Sequence, residues 1–313
     1  MSSAQRLGVP FPSGRPVRDK VERALEFLRS NTELAPFCPL LEQAERWTSE
    51  PGYLCGSDQQ RAEELMAMWS ESGPARSWCG RGGYGATRLL GLLQSSLEGT
   101  SLPPSRLLGY SDITALFALI KVLKLPIDCV HAPVLTELPD HPEPETVFRA
   151  LEGIPCSLPV GAPDGQTASF SGTIWGGNLA VLASLCGTPW LPRLTSGAAF
   201  LEDVDESPYR LDRFVTQLHD SGFFARCDGV FLGQFTRCGS DNAGHLIVRE
   251  RLRDLGIALL GDLPVGHEAY HLPLFLDLPY RFDAKGGVLQ PLGDRSDALN
   301  VRNAAHHVAI DGG

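Results

Sequence analysis

Apolar residues in this chain fall into short continuous runs, each followed by a stretch where they recur every three or four positions. That succession of buried strand and one-sided helix is an α/β pattern. The clearest unit is Ser105–Leu125. Leu107-Leu108 predicts a buried strand, Gly109 permits a tight turn, and Ile113, Leu116, Phe117, Ile120 and Leu123 then repeat at helical spacing. Ala75–Leu93 reads as strand, Gly-rich loop and helix. Ser171–Trp190 reads as strand, Gly-Gly-Asn turn and helix, stopped at Gly187 with Pro189 beyond. Further helices are predicted over Val17–Leu28, over Gln59–Ser70 behind a Ser57 or Asp58 cap, over Tyr209–Leu218 and over Val248–Leu255. Ala198–Glu202 and Asp228–Phe235 are predicted strands. Beyond about Gly161 the strands shorten and turn residues multiply, and Pro139–Glu145 is polar and Pro-rich. These changes divide the chain at 145/146 into an α/β segment and a mixed, β-rich one, with a loose polar tail over 295–313.

Composition narrows the function. The chain has 313 residues, 43% hydrophobic and 20% charged, enough for a packed core. A net charge of −10 and a pI near 5.3, with Arg and Lys scattered, argue against a nucleic-acid or anionic-membrane surface. Eight cysteines occur without a C-x-x-C pair, which suits a reducing compartment and gives no zinc or iron–sulfur spacing; no metal or cofactor is expected. No apolar run reaches membrane-spanning length and the first residues lack a signal-type core, so a cytoplasmic protein is expected.

Candidate chemistry begins at Ser111. A serine on a strand-to-helix turn holds its hydroxyl at the carboxyl edge of the sheet, with the N–H of Asp112 aimed at whatever the hydroxyl attacks. This is the nucleophile-elbow arrangement, although Ile113 stands where a second glycine is usual. A serine there also serves as a helix cap. Gly80, Gly82 and Gly85 satisfy G-x-G-x-x-G, yet no acid closes the next strand, so dinucleotide binding is the weaker reading. Unshielded N–H groups in such a loop equally serve an oxyanion. A serine nucleophile needs a base and an acid to orient it. Glu202 and His267 each follow an apolar strand. Each also has a plain alternative, Glu202 as one of four acids on a solvated loop and His267 as a turn cap. His131, at another strand end, reads as a structural histidine.

Several stretches in order carry a resemblance: Gly56–Ala62, Arg81–Gly85 with Arg88-Leu-Leu, Leu108–Leu116, Gly176–Leu179, Leu201–Val204 with Tyr209-Arg and Asp212-Arg, and Gly266-His267. Together, over roughly Leu7 to Phe282, the chain resembles the LD-carboxypeptidase family of serine peptidases. That group includes muramoyltetrapeptide carboxypeptidases and microcin C self-immunity proteins. The resemblance implies a flavodoxin-like parallel sheet followed by a β-rich α/β domain, with the site between them. It implies a triad of Ser111, Glu202 and His267, and an oxyanion hole of the Asp112 N–H and one from the Gly-rich loop, for which Gly83 is chosen. Arg81, Tyr84 and Arg88 are the expected substrate contacts. The implied substrate is murein tetrapeptide, cut at the L,D-bond to terminal D-Ala during wall recycling, by a possible homodimer. The alternative within the same chemistry is a self-immunity-type hydrolase of aminoacyl-nucleotides, for which Trp175 or Trp190 would stack on the base. The chain departs from the family pattern at the Pro-broken Gly8–Ser13 and at Tyr270–Asp277.

Overall fold

The computed structural model describes residues 5–31, 37–40, 52–161, 169–283 and 287–295. The expected tail, apart from Arg295, lies outside the described residues. Two sheets form the frame. In the first, β1 (Gln5–Gly8), β2 (Phe37–Leu40), β3 (Arg76–Trp78), β4 (Ser105–Gly109) and β5 (Ile127–His131) run parallel in the order β2-β1-β3-β4-β5. This is the flavodoxin-like order, whose ligand crevice opens beyond the carboxyl ends of the strands beside the β1/β3 switch point. The loops that leave β1, β3, β4 and β5 all emerge at that edge. The first strand stops at Gly8 because Pro10 has no N–H to continue a ladder.

The helices of this half are α1 (Arg18–Ser30), α2 (Asp58–Trp69), α3 (Leu90–Leu97), α4 (Thr114–Leu123) and α5 (Pro144–Glu152). Ser57 caps α2 with a complete capping box, Gln60 being the reciprocal partner. Helix α4 is buried at every position from Thr114 to Ile120, because the second sheet packs on the side that solvent would otherwise take.

The second sheet has the order β10-β9-β8-β7-β12-β13-β6. Its parallel core is β7 (Phe170–Asn178), β8 (Ala198–Val204), β9 (Gly229–Thr236) and β10 (Leu259–Asp262). The antiparallel wing is β6 (Leu158–Pro159), β12 (Pro279–Asp283) and β13 (Val288–Pro291). Helices α6 (Leu179–Ser184), α7 (Pro208–Asp220) and α8 (Ala243–Asp254) accompany the parallel strands. Among the described residues no helix is long and apolar enough to cross a membrane.

Two segments tie the halves of the chain together. Helix α5 starts inside the expected linker and runs through the expected border at 145/146. The buried guanidiniums of Arg76 and Arg106 both donate to the carbonyl of Leu151, and Arg76 pairs with Glu152, so this segment is fastened to the first sheet. Much later, β11 (Leu274–Phe275) returns to the first sheet as an antiparallel edge on β5. Its two-residue length and backbone-only pairing leave no period to read from sequence.

The two sheets come close together at Gly177. A Cβ there would stand 2.4 Å from Thr114 Oγ1 at the start of α4. That hydroxyl accepts the Asn178 N–H at 3.0 Å. Gly177→Ala should therefore cost about 1–3 kcal/mol by overpacking, read as a lower urea midpoint at unchanged slope. An unaltered midpoint would mean that the sheets are not this close.

Candidate active site

Ser111 stands at the end of β4 with φ = 60°, in the left-handed region that costs a non-glycine residue of order 1–3 kcal/mol. Tyr110, not Ser111, holds the cap position of the turn Ser111–Ile113, and no side chain caps it. The hydroxyl is thus turned out of the helix start. The Asp112 carboxylate fixes the turn from beneath, accepting the Ser13 hydroxyl at 2.6 Å and the Ala86 N–H at 2.8 Å. The loops after β1, β3 and β4 are joined through one side chain. Burial pushes the Asp112 carboxyl up, against the bonds from Ser13 and Ala86 and the charge of Arg61.

In the Gly-rich loop, Gly82 makes the close approach. A Cβ there would lie 3.2 Å from Ser111 Cβ and 3.4 Å from its Oγ. Gly83, at φ = 109°, lines the same cavity. The dinucleotide reading is not met, because its glycines serve packing: a Cβ at Gly80 would enter the Phe11 ring, and one at Gly85 would strike Leu54 and Arg61.

Glu202 lies on β8 at a register shift. Leu201 pairs Leu232 and Asp203 pairs Phe235, so Gly233 and Gln234 of β9 together oppose Glu202. A Cβ at Gly233 would stand 2.9 Å from Glu202 Cβ. The carboxylate is fully buried, not on a solvated loop. Gln234 clamps the loop after β10: its Oε1 accepts the Glu268 N–H at 2.9 Å and its Nε2 donates to the Tyr270 carbonyl at 2.8 Å. That loop carries His267. Its Nδ1–H donates to Glu202 Oε2 at 2.7 Å, and its ring packs against Tyr110 with centroids 4.5 Å apart and planes tilted by 50°.

The electrostatics follow. Burial alone would raise the Glu202 carboxyl, but the charge and hydrogen bond of His267, with the His131 imidazole close by, outweigh it and hold it at about 2. Burial opposes a charged His267, yet the Glu202 charge and hydrogen bond win, and its pKa is raised. Beside it, burial and the Glu202 charge push Asp203 up to about 7, against N–H bonds from Val204, Asn178 and Ala180.

Ser111, His267, Gly82 and Gly83 line one open cavity of about 270 Å³. Two cations share it, Arg81 and Lys20, and Arg81 also donates to the Arg15 carbonyl. The expected contacts Arg88 and Tyr84 are not on its wall. The turn Ala86–Leu89 carries Arg88 toward α2, where its Nε and Nη2 bind Asp58 Oδ2 at 3.0 and 2.8 Å. Tyr84 is half exposed against Tyr53, with centroids 6.2 Å apart. Neither tryptophan lines it. Trp175 is buried beneath Lys121, and Trp190 donates to Gln94 at 2.9 Å. Among the described residues no group of three His, Cys, Asp or Glu side chains is arranged to hold a metal.

Sequence reasoning missed Lys20, an exposed residue on an ordinary amphipathic helix, and Glu137, which accepts the Tyr110 hydroxyl at 2.7 Å. Nothing in their spacing marks them. Ser13 had a signal, since it follows the first strand at the same sheet edge as Ser111.

Comparison with known proteins identifies the family. The family model for the LD-carboxypeptidase N-terminal domain matches residues 8–130, and that for the C-terminal domain matches 171–282. The murein tetrapeptide carboxypeptidase of Pseudomonas aeruginosa is 34% identical over 234 residues, covering 69% of this chain and 75% of that protein. The crystal structure of muramoyltetrapeptide carboxypeptidase from Oxalobacter formigenes superposes with a TM-score of 0.74 at 23% identity, covering 92% of this chain and 98% of that one. MccF in complex with glutamyl sulfamoyl guanosine superposes at 0.76 and 18% identity, covering 93% and 96%. At those identities the two structures speak for the fold, while the family models and the Pseudomonas relative settle membership: the chain belongs to the LD-carboxypeptidase family.

Proposed function

We propose that the protein is a serine-type LD-carboxypeptidase that removes terminal D-Ala from murein tetrapeptide, working on recycled wall peptides in the cytoplasm. The observation that carries this is the 2.7 Å His267–Glu202 bond, with His267 and the left-handed Ser111 on the wall of one cavity. Nδ1 of His267 is committed to the carboxylate, so Nε2 is left as the base. It takes the Ser111 proton as Oγ attacks the carbonyl, then gives it to the leaving amine. Water hydrolyses the acyl-enzyme by the same route in reverse. Glu202 holds the imidazole and stabilises its charged form. The N–H groups of Asp112 and of Gly82 or Gly83 receive the oxyanion. Lys20 and Arg81 are the cations suited to the free carboxylate of the leaving residue.

Ser111→Ala should abolish release of D-Ala from the tetrapeptide, read by mass analysis. Glu202→Gln should lower kcat by about 10³–10⁴, because the imidazole loses its orienting anion. Retained turnover in Ser111→Ala would remove the serine mechanism. Turnover of an aminoacyl-sulfamoyl adenylate instead of the peptide would transfer the site to the other substrate class.

His267 works as a base only when neutral. Since Glu202 raises its pKa above 6.5, kcat/KM should fall as pH drops through that raised value. In Glu202→Gln the acid limb should move to lower pH; a limb in the same place would mean that another group titrates.

Lys20→Ala should raise KM for the tetrapeptide by roughly tenfold with a smaller change in kcat, as expected for loss of a carboxylate contact. An unchanged KM would leave Arg81 as the anchor.

A further inference from the structure

Glu202 has two oxygens and His267 takes only one. Oε1 is buried, and the single polar atom aimed at it is Nε2 of His131, 3.6 Å away on the last residue of β5. Both side chains have no solvent exposure, and among the described residues neither atom has another hydrogen-bond partner. Two buried polar atoms facing each other satisfy each other or are left unpaired at a cost to stability.

The partners behind His131 fit a proton on its Nε2. His141 Nδ1 accepts the Glu143 N–H at 3.1 Å, so Nε2 of a neutral His141 is the donor, and it reaches the His271 carbonyl at 2.9 Å. Nδ1 of His131 lies 3.2 Å from Nε2 of His271. An anionic Glu202 requires Nε2–H on His131. A neutral His131 then presents a bare Nδ1, which accepts from Nε2–H of His271. A proton added at Nδ1 of His131 would meet that N–H head on. Tyr110 packs against all three rings, its centroid 4.5 Å from His267, 4.8 Å from His271 and 5.8 Å from His131. The titratable groups facing His131 are thus Glu202 on β8, Tyr110 after β4, and His267 and His271 from the loop between β10 and β11.

We propose that His131 is a positioning residue for the reaction: its Nε2–H holds Oε1 of Glu202, with His271 fixing the tautomer, so that Oε2 meets Nδ1 of His267. This rests on the serine mechanism proposed above. Burial lowers the pKa of His131 despite its carboxylate neighbour. Burial, the largest cause, likewise takes His271 well below its ordinary value. Both rings stay neutral where the enzyme works, which the tautomer chain requires.

The test uses His131→Leu, which removes the donor, and His131→Gln, whose amide nitrogen can replace Nε2–H. His131→Leu should lower kcat about 10- to 100-fold with little change in KM, and should shift the acid limb of kcat/KM to lower pH as Glu202 loses its hold on His267. His131→Gln should recover most of both. If His131→Leu does not fold, nitrogen-15 spectra of the wild-type histidines decide: the rings of His131 and His271 should both be neutral with Nε2–H at neutral pH. An unshifted limb in a folded His131→Leu, failure of His131→Gln to restore turnover, or an Nδ1–H tautomer at His131 would each overturn the proposal. Turnover retained in Ser111→Ala would instead defeat the serine mechanism, and the nitrogen-15 result would still stand by itself.

Discussion

The arrangement depends on keeping one carboxylate charged out of reach of bulk solvent. Glu202 is wholly enclosed, and an isolated anion there would take up a proton at neutral pH. Hydrogen bonds and the nearby imidazole reverse that tendency and hold it at about 2. The same pairing that keeps Glu202 ionised also orients the imidazole and makes its positive form accessible. Removing either partner would strand the other in a low-dielectric pocket, which is why the constellation behaves as a unit.

Backbone irregularity makes room for that carboxylate. The register shift between β8 and β9 leaves Gly233 against Glu202, with no Cβ to intrude. The next residue, Gln234, reaches out from the same irregularity to clamp the loop bearing His267. On the other sheet, strain at Ser111 is stabilised by Asp112, which draws two neighbouring loops onto the turn. One left-handed residue, Ser111, and one register shift, at Glu202, thus fall at the candidate site.

Much of this could be read from sequence, and the reason differs by element. The strand–turn–helix around Ser111 was legible because Leu107-Leu108 and the helical repeat from Ile113 onward have distinct periods, and their junction locates the serine. Helices α1, α2 and α7 appeared within one or two residues of their apolar stripes. The pairing of Glu202 with His267 could not be read from either residue alone; it needed several motifs in a fixed order. Arg88 misled because proximity in sequence to a glycine loop says nothing about the direction of the next turn, which here faces Asp58. The interleaving of α5 and β11 with the first sheet was also hidden, since their anchors are buried arginines and backbone pairing rather than hydrophobic period.

That interleaving has a consequence for how the enzyme comes into being. The segment bearing His267 leaves β10 in one sheet and enters β11 in the other, so it is strung between them like a suspended cable. On the mechanism proposed above, a chain that has completed only its first half holds Ser111 and its amides without Glu202 or His267. The proposed triad is complete only when both halves are built and docked.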